Sequence, residues 1–311
     1  MNISVIGASG FIGKNLLLKI PEKWKVFGIY RTSKTFLDFL KENKLSNVCP
    51  LRCDLENVLE VKNTLEKLES IDVCVYLSAN TNVRQLFEDS ALDVTSNIGP
   101  ITNFLKYFRG RRLIFFSSGA VYMGLRGQVS PSSKISPTIP YAISKYASEL
   151  YIKFHHSRLK TFKEYVILRF FGAYGPYEPL RKISTKLIEL VKNPHKNLFT
   201  VFGDGENYID FMYIDDAVQG LLAVINGAKA NVTVDFCSGN PLTINQLVKN
   251  VGEIFKKEIR IEHAGSSPEY IKFYASPKRM FQTFGFSPSI SLNDGFQKFA
   301  NWLDKTFCAK A

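Results

Sequence analysis

Long hydrophobic stretches are missing from this chain of 311 residues. None approaches the ~18 apolar residues of a membrane span. The start, MNISVIGASGFIG, has neither the basic lead nor the extended apolar stretch of a secretory signal. Cysteine is scarce: five residues, at 49, 53, 74, 237 and 308, an odd number with no C-x-x-C. That argues against a disulfide framework and for free thiols in a reducing cytoplasm. The histidines, His155, His156, His195 and His263, show no metal-ligand spacing, so no metal site is expected. Internal repeats, low-complexity tracts and disordered linkers are absent too. Acids are the minority charge, 28 against 40 Lys and Arg, which leaves +12. The basic residues are scattered, RGRR at 109–112 and FKKEIR at 255–260 being the densest groups, and no nucleic-acid motif accompanies them. A solvated surface, or attraction of an anionic small molecule, accounts for the excess better than nucleic acid does.

What the chain does contain is alternation. ISVIG precedes FIGKNLLLKI, KVFGIY precedes a polar helical segment, VCPLRCDL precedes LEVKNTLEKL, and IDVCVYLSA precedes a long segment from about 86 to 109. RLIFFSS, YAISKYASELYIKFHH and EYVILRFFGAYG close the series. Continuous apolar strands between helices predict an α/β fold, a doubly wound parallel sheet of the Rossmann type covered on both faces. This dinucleotide-binding part is expected over 1–175, with 176–311 forming mainly a smaller C-terminal substrate lobe and segments of about 209–238 returning to the sheet.

GASGFIG sets Gly7, Gly10 and Gly13 between the first strand and the first helix. Glycines there allow a tight turn and close backbone approach, so that a pyrophosphate can rest on the helix start. In that strand-to-helix context the motif predicts a dinucleotide site made by Gly7, Ser9, Gly10, Phe11, Ile12 and Gly13. NAD sites usually carry an acid at the end of the second strand, to bind the adenosine ribose. Here Tyr30 stands in its place and Arg31 follows. A guanidinium suits a 2′-phosphate, so this reading favours NADP over NAD.

Three Tyr-x-x-x-Lys patterns occur: Tyr30/Lys34, Tyr141/Lys145 and Tyr274/Lys278. On a helix the spacing sets ammonium and phenol on one face. Only Tyr141/Lys145 follows a strand ending in a serine, Ser118 of LIFFSSGAVY. At that point the chain resembles the extended short-chain dehydrogenase/reductase family of nucleotide-sugar epimerases, dehydratases and ketoreductases. GASGFIG, CDL, SSGAVY, YAISK, LRFFGAYGP, FGDGENYIDFMYIDD and SPSISLNDGFQKFANWL come in the family's order over nearly the whole chain. The resemblance implies that Ser118, Tyr141 and Lys145 are catalytic, that Asp54 and Leu55 meet the adenine side, and that the enzyme is a homodimer. Lys145 would also hold the nicotinamide ribose, and its ammonium would favour the Tyr141 phenolate.

The chain departs from the family on the substrate side. Gly119 and Ala120 occupy the positions of the dehydratases' Asp-Glu pair, which disfavours elimination. Gly172 replaces a substrate-binding Asn, and Ile209 replaces the Arg that grips the diphosphate. Arg181 and Lys186 are candidates to take over that grip. The reading that results is a nucleotide-sugar oxidoreductase reducing a 4-keto sugar. The alternatives are a 4-epimerase with retained cofactor, a reductase of non-sugar carbonyls such as hydroxysteroids or phenylpropanoids, and a non-catalytic dinucleotide-binding regulator. The ketoreductase is preferred over the epimerase because a reductase needs an exchangeable cofactor, and Arg31 points to NADP.

Overall fold

The computed structural model describes residues 1–68, 70–266 and 271–308. Seven strands form its central sheet: β1 (Asn2–Ile6), β2 (Lys25–Tyr30), β3 (Val48–Arg52), β4 (Val73–Tyr76), β5 (Arg112–Ser118), β6 (Glu164–Phe170) and β7 (Val232–Phe236). They lie in the order β7-β6-β5-β4-β1-β2-β3, every neighbouring pair parallel. The winding direction therefore reverses between β1 and β4, and the crevice beyond their carboxyl ends is where a doubly wound sheet takes a ligand.

Alternate side chains of each strand enter opposite cores. On β5, Leu113 and Phe115 pack on one face while Ile114 and Phe116 pack on the other. Both faces are buried, which is why the sequence shows unbroken apolar runs here instead of an apolar–polar alternation.

The remainder of the chain folds onto one face. The Ile183–Lys192 helix, the parallel pair Leu198–Phe202 with Arg260–Ala264, the Ile244–Ile254 helix and the Leu292–Cys308 helix form a lobe that shares its core with that face of the sheet. A capping box at Thr243 and Gln246 starts the Ile244–Ile254 helix. One continuous cluster of buried side chains runs from Ile3 and Val26 through Leu187 and Leu247 to Phe296. The Ile214–Asn226 helix packs against the Phe11–Leu17 helix, and β7 adds to the sheet edge, so the chain enters the lobe, returns, and enters it again. The strand Lys272–Ala275 pairs with Arg126–Val129, which ties the lobe to the turn following β5. No helix among the described residues is long and apolar enough to cross a membrane.

Candidate active site

Gly7 leaves β1 with φ +85°, a conformation that favours glycine. A Cβ there would lie 3.1 Å from the Ser78 backbone nitrogen, and one at Gly13 would lie 2.5 Å from the Gly7 carbonyl oxygen. Side chains are excluded at both positions, so bare backbone faces the crevice at the switch point. Ser9, Phe11 and Ile12 belong to the same turn and the first turn of the helix, whose start Gly10 caps. A cleft of about 520 Å³ opens beside it, lined by Gly7, Tyr30, Arg31, Asp54, Leu55 and the Ser78–Thr81 segment, with Glu56 and Arg181 at its walls. Cradle and cleft fit a dinucleotide.

The cleft departs from the sequence reading at Arg31. Its Nη1 lies 2.9 Å from Oε1 of Glu56, a carboxylate in the same cleft. Arg31 is therefore not a free cation awaiting a phosphate, and the acid missing from the end of β2 is supplied from just beyond β3. The loop that carries Glu56 is pinned. Asp54 Oδ1 accepts from the Glu56 amide at 3.0 Å, and Asn103 Nδ2 donates to the Leu55 carbonyl at 2.9 Å. So paired, Arg31 gives no ground for NADP over NAD.

Tyr141 and Lys145 share the Pro140–Phe154 helix, whereas Tyr30 ends β2 with Lys34 beyond it, and Tyr274 and Lys278 lie on different elements. Ser118 ends β5 and caps the short turn after it, accepting from the Ala120 amide at 3.1 Å. Ser118 lies close enough to Tyr141 to act on its phenol. Lys145 is buried, donates from Nζ to the Phe116 carbonyl, and lies 4.3 Å from the centre of the Phe115 ring.

The expected lowering of the tyrosine does not hold for the protein alone. Burial pushes the Tyr141 phenol up to about 12, against the lowering effect of Ser118, and the nearby Asp93 charge adds to the rise. Burial brings Lys145 down to about 7, while Glu149 and Asp93 pull it back up. Desolvation outweighs the pairing because Lys145 is turned toward β5 and donates to the Phe116 carbonyl.

Beneath these residues runs a buried polar chain that the sequence reading missed. Ser117 Oγ donates to Glu149 at 2.5 Å, and Arg169 grips Glu149 through Nε at 3.0 Å and Nη2 at 2.7 Å. Arg169 Nη1 also donates to the Tyr122 hydroxyl at 2.9 Å, and that hydroxyl donates to Asp235 at 2.7 Å. It joins β5, the turn after it, the Pro140–Phe154 helix, β6 and β7. Glu149 lies one turn beyond Lys145 on the same helix, and that spacing was the one signal available in the sequence.

On the substrate side, Phe171 covers Gly119: a Cβ there would meet three atoms of its ring at 3.1 Å. Gly172 has φ +144° and lies under Phe211. Ile209 pairs with Leu242 and packs at the core's edge. Arg181 projects to the dinucleotide cleft, its Nη2 3.4 Å from Thr81 Oγ1, and Lys186 is exposed on its helix. The geometry thus brings together Ser118, Tyr141 and Lys145, and separately Gly7, Tyr30, Arg31, Asp54, Leu55 and Arg181. Lys186 joins neither group.

The family model described as the NAD dependent epimerase/dehydratase family matches residues 3–235. The chain is similar to the UDP-glucuronate 4-epimerase of Thermodesulfobacterium geofontis, 26% identical over 96% of this chain and 94% of the relative. It is also similar to the dTDP-D-glucose 4,6-dehydratase of Mus musculus, 24% identical over 98% and 89%. Among solved structures, the UDP-glucuronic acid 4-epimerase of Bacillus cereus, in complex with UDP-glucuronic acid and NAD, superposes with a TM-score of 0.86 at 26% identity. That likeness covers 98% of this chain and all of the other. A glycine cradle at the switch point, a serine–tyrosine–lysine group beside it and a family match across three quarters of the length lead to one conclusion: the chain belongs to the NAD-dependent epimerase/dehydratase family, enzymes of the extended short-chain dehydrogenase/reductase class.

Proposed function

We propose that this enzyme is a nucleotide-sugar 4-epimerase that acts on a UDP-linked hexose and retains NAD through its cycle. The observation that carries the reading is the pairing of an intact Ser118–Tyr141–Lys145 group with a Gly119 that Phe171 closes off. Gly119 and Ala120 carry no carboxylate and a Cβ at Gly119 would press on the Phe171 ring, so the site has proton transfer at one oxygen but no equipment for elimination. The ketoreductase rested on Arg31 as a phosphate ligand, and the Arg31–Glu56 pair removes that support. NAD in the Bacillus cereus neighbour and the 4-epimerases among the relatives favour the epimerase.

NAD held by the Gly7–Gly13 turn and Lys145 would supply reversible hydride transfer at a sugar carbon. The chain's own part is proton handling. Tyr141, as phenolate, takes the proton of the sugar hydroxyl and later returns it, with Ser118 holding the same oxygen. Lys145 orients the cofactor ribose and, as ammonium, opposes the desolvation that raises Tyr141. Two copies are expected to associate through the Pro140–Phe154 helix, where Ile143, Leu150, Tyr151 and Phe154 form an exposed apolar stripe.

The test is to incubate the enzyme with UDP-glucose and with UDP-glucuronate and to analyse the products by NMR, alongside mass spectrometry of cofactor released on denaturation. Epimer formation without added cofactor, lost in Tyr141→Phe while dinucleotide binding persists, is the expected result. Steady consumption of added NADPH by a 4-keto sugar, with no epimer formed, would overturn the proposal in favour of the ketoreductase.

A further inference from the structure

Asp93 is 2% exposed, at the point where the helical segment Ser90–Asp93 passes into the π-helical turn Val94–Ile98. Its Oδ1 accepts from Ser144 Oγ at 2.9 Å and from Asn97 Nδ2 at 2.8 Å. Ser144 immediately precedes Lys145, and its hydroxyl also donates to the Tyr141 carbonyl at 3.0 Å. Asn97 in turn holds the cofactor-lining loop: its Oδ1 accepts from the Asn80 amide at 2.8 Å, and its Nδ2 donates to the Asn80 carbonyl at 3.1 Å. A continuous set of bonds thus runs from the cleft wall to the helix that carries Tyr141 and Lys145.

The charges make Asp93 unusual. Lys145 has the Phe116 carbonyl and the Phe115 ring of β5 beside it, and the charged groups acting on it are Glu149 on its own helix and Asp93 on the neighbouring segment. Glu149 is compensated by the two-pronged bond from Arg169 on β6, an ion pair at 2.7 Å with both side chains buried. Behind it lie only Tyr122 and Asp235. Asp93, by contrast, has neutral partners, and no cation bonds it among the described residues. A buried carboxylate without a paired cation is costly unless a nearby positive charge offsets it.

Building on the epimerase reading, we propose that Asp93 is a positioning residue whose uncompensated charge keeps the proton on the Tyr141–Lys145 pair and whose hydrogen bonds fix the helix bearing that pair. The Asp93 charge then favours the protonated forms of Tyr141 and Lys145 alike. The downward pull of burial on Lys145 and the Asp93 contributions to both residues agree with this arrangement.

The pair loses its two protons in two coupled steps, and removing a buried negative charge makes both losses easier. Asp93→Asn, which keeps the shape, should therefore move both limbs of the kcat/KM pH profile to lower pH, by on the order of one unit. A purely structural role would lower the height of the profile and leave its limbs in place, and that result would overturn the proposal. A readout without substrate separates this from the epimerase reading: the 13Cε NMR resonance of Lys145, assigned by its loss in Lys145→Met. Its midpoint should fall in Asp93→Asn whether or not any UDP-sugar turns over; an unmoved midpoint refutes the proposal. If Asp93→Asn fails to fold, the wild type serves. The carboxyl 13C signal of Asp93, reached through its backbone assignment, should inflect at the Lys145 midpoint, and a flat signal there would refute the coupling.

Discussion

Replacing Glu56 by Gln should turn an NAD site toward NADP, and the structure sets the scale. The Arg31–Glu56 contact is short, 2.9 Å, but the side chains are 57% and 44% exposed. A pair so exposed is worth no more than about 1 kcal/mol, so it can be opened. A 2′-phosphate arriving beside it must break it and also face the Glu56 charge. Across about 5 Å of largely aqueous surroundings that repulsion adds on the order of 1–2 kcal/mol. Together the two terms disfavour NADP by about 1–3 kcal/mol, roughly 5- to 150-fold. In Glu56→Gln both vanish and Arg31 is released, so NADP should gain roughly 10- to 100-fold while NAD loses any charged hydrogen bond to its ribose. Arg31→Ala should leave NAD nearly unchanged and weaken NADP further. Calorimetric titration of both cofactors into cofactor-stripped protein measures each term, and raising the salt should compress the preference. Equal affinity for NADP and NAD in the wild type, or an unchanged ratio in Glu56→Gln, would refute the reasoning.

Leu150→Glu combined with Tyr151→Arg should convert a dimer to a monomer in sedimentation at micromolar protein, because both side chains lie on the exposed apolar stripe; an unchanged dimer would locate the interface elsewhere. Asp235 supplies a pH-dependent stability test. Burial raises its carboxyl from 3.8 to about 6, against the Tyr122 hydrogen bond and the Arg169 charge. Between those values the folded protein holds a proton that the unfolded chain has lost, so this group's contribution to stability falls as pH rises from about 4 to 6. Asp235→Asn, which keeps an acceptor for Tyr122, should therefore be more stable than wild type by about 2–3 kcal/mol at pH 8 and nearly equal at pH 4. Denaturant unfolding at the two pH values would expose the error if the difference were the same at both.

The parts of the molecule legible in the sequence are those governed by near neighbours. RLIFFSS announces a strand buried on both faces, GASGFIG a turn that must be free of side chains, and YAISK a helix face carrying phenol and ammonium together. What escaped notice depends on residues far apart in the chain. Arg31 read as unpaired because its partner lies 25 residues on, beyond the next strand. Ser144 and Asp93 are 51 residues apart, Tyr122 and Asp235 113, and nothing local marks either pair. The expected lowering of Tyr141 failed for a related reason. Proximity to Lys145 is written in the spacing, but the depth of burial that outweighs it is set by the packing of other segments. Glu149 is the exception: its place one turn past Lys145 was visible, and only its bonds to Arg169 and Ser117 needed the fold.

The buried chain from Ser117 to Asp235 has a consequence for how this enzyme can change over generations. Loss of Arg169 or Glu149 alone strands the partner's charge in a dry interior, at a cost of about 3–5 kcal/mol, a large share of a domain's stability. These two can therefore be exchanged only as a compensating pair, and single substitutions at either should be purged. Ile209 packs among apolar side chains at the core's edge, so drift there strands no charge. The buried ion pair beneath the candidate site is thus held fast by mutual dependence, while the apolar edge at Ile209 is free to wander. New substrate preferences in such a protein would arise around Phe171, Phe211 and Ile209, with the chemistry beneath them inherited unchanged.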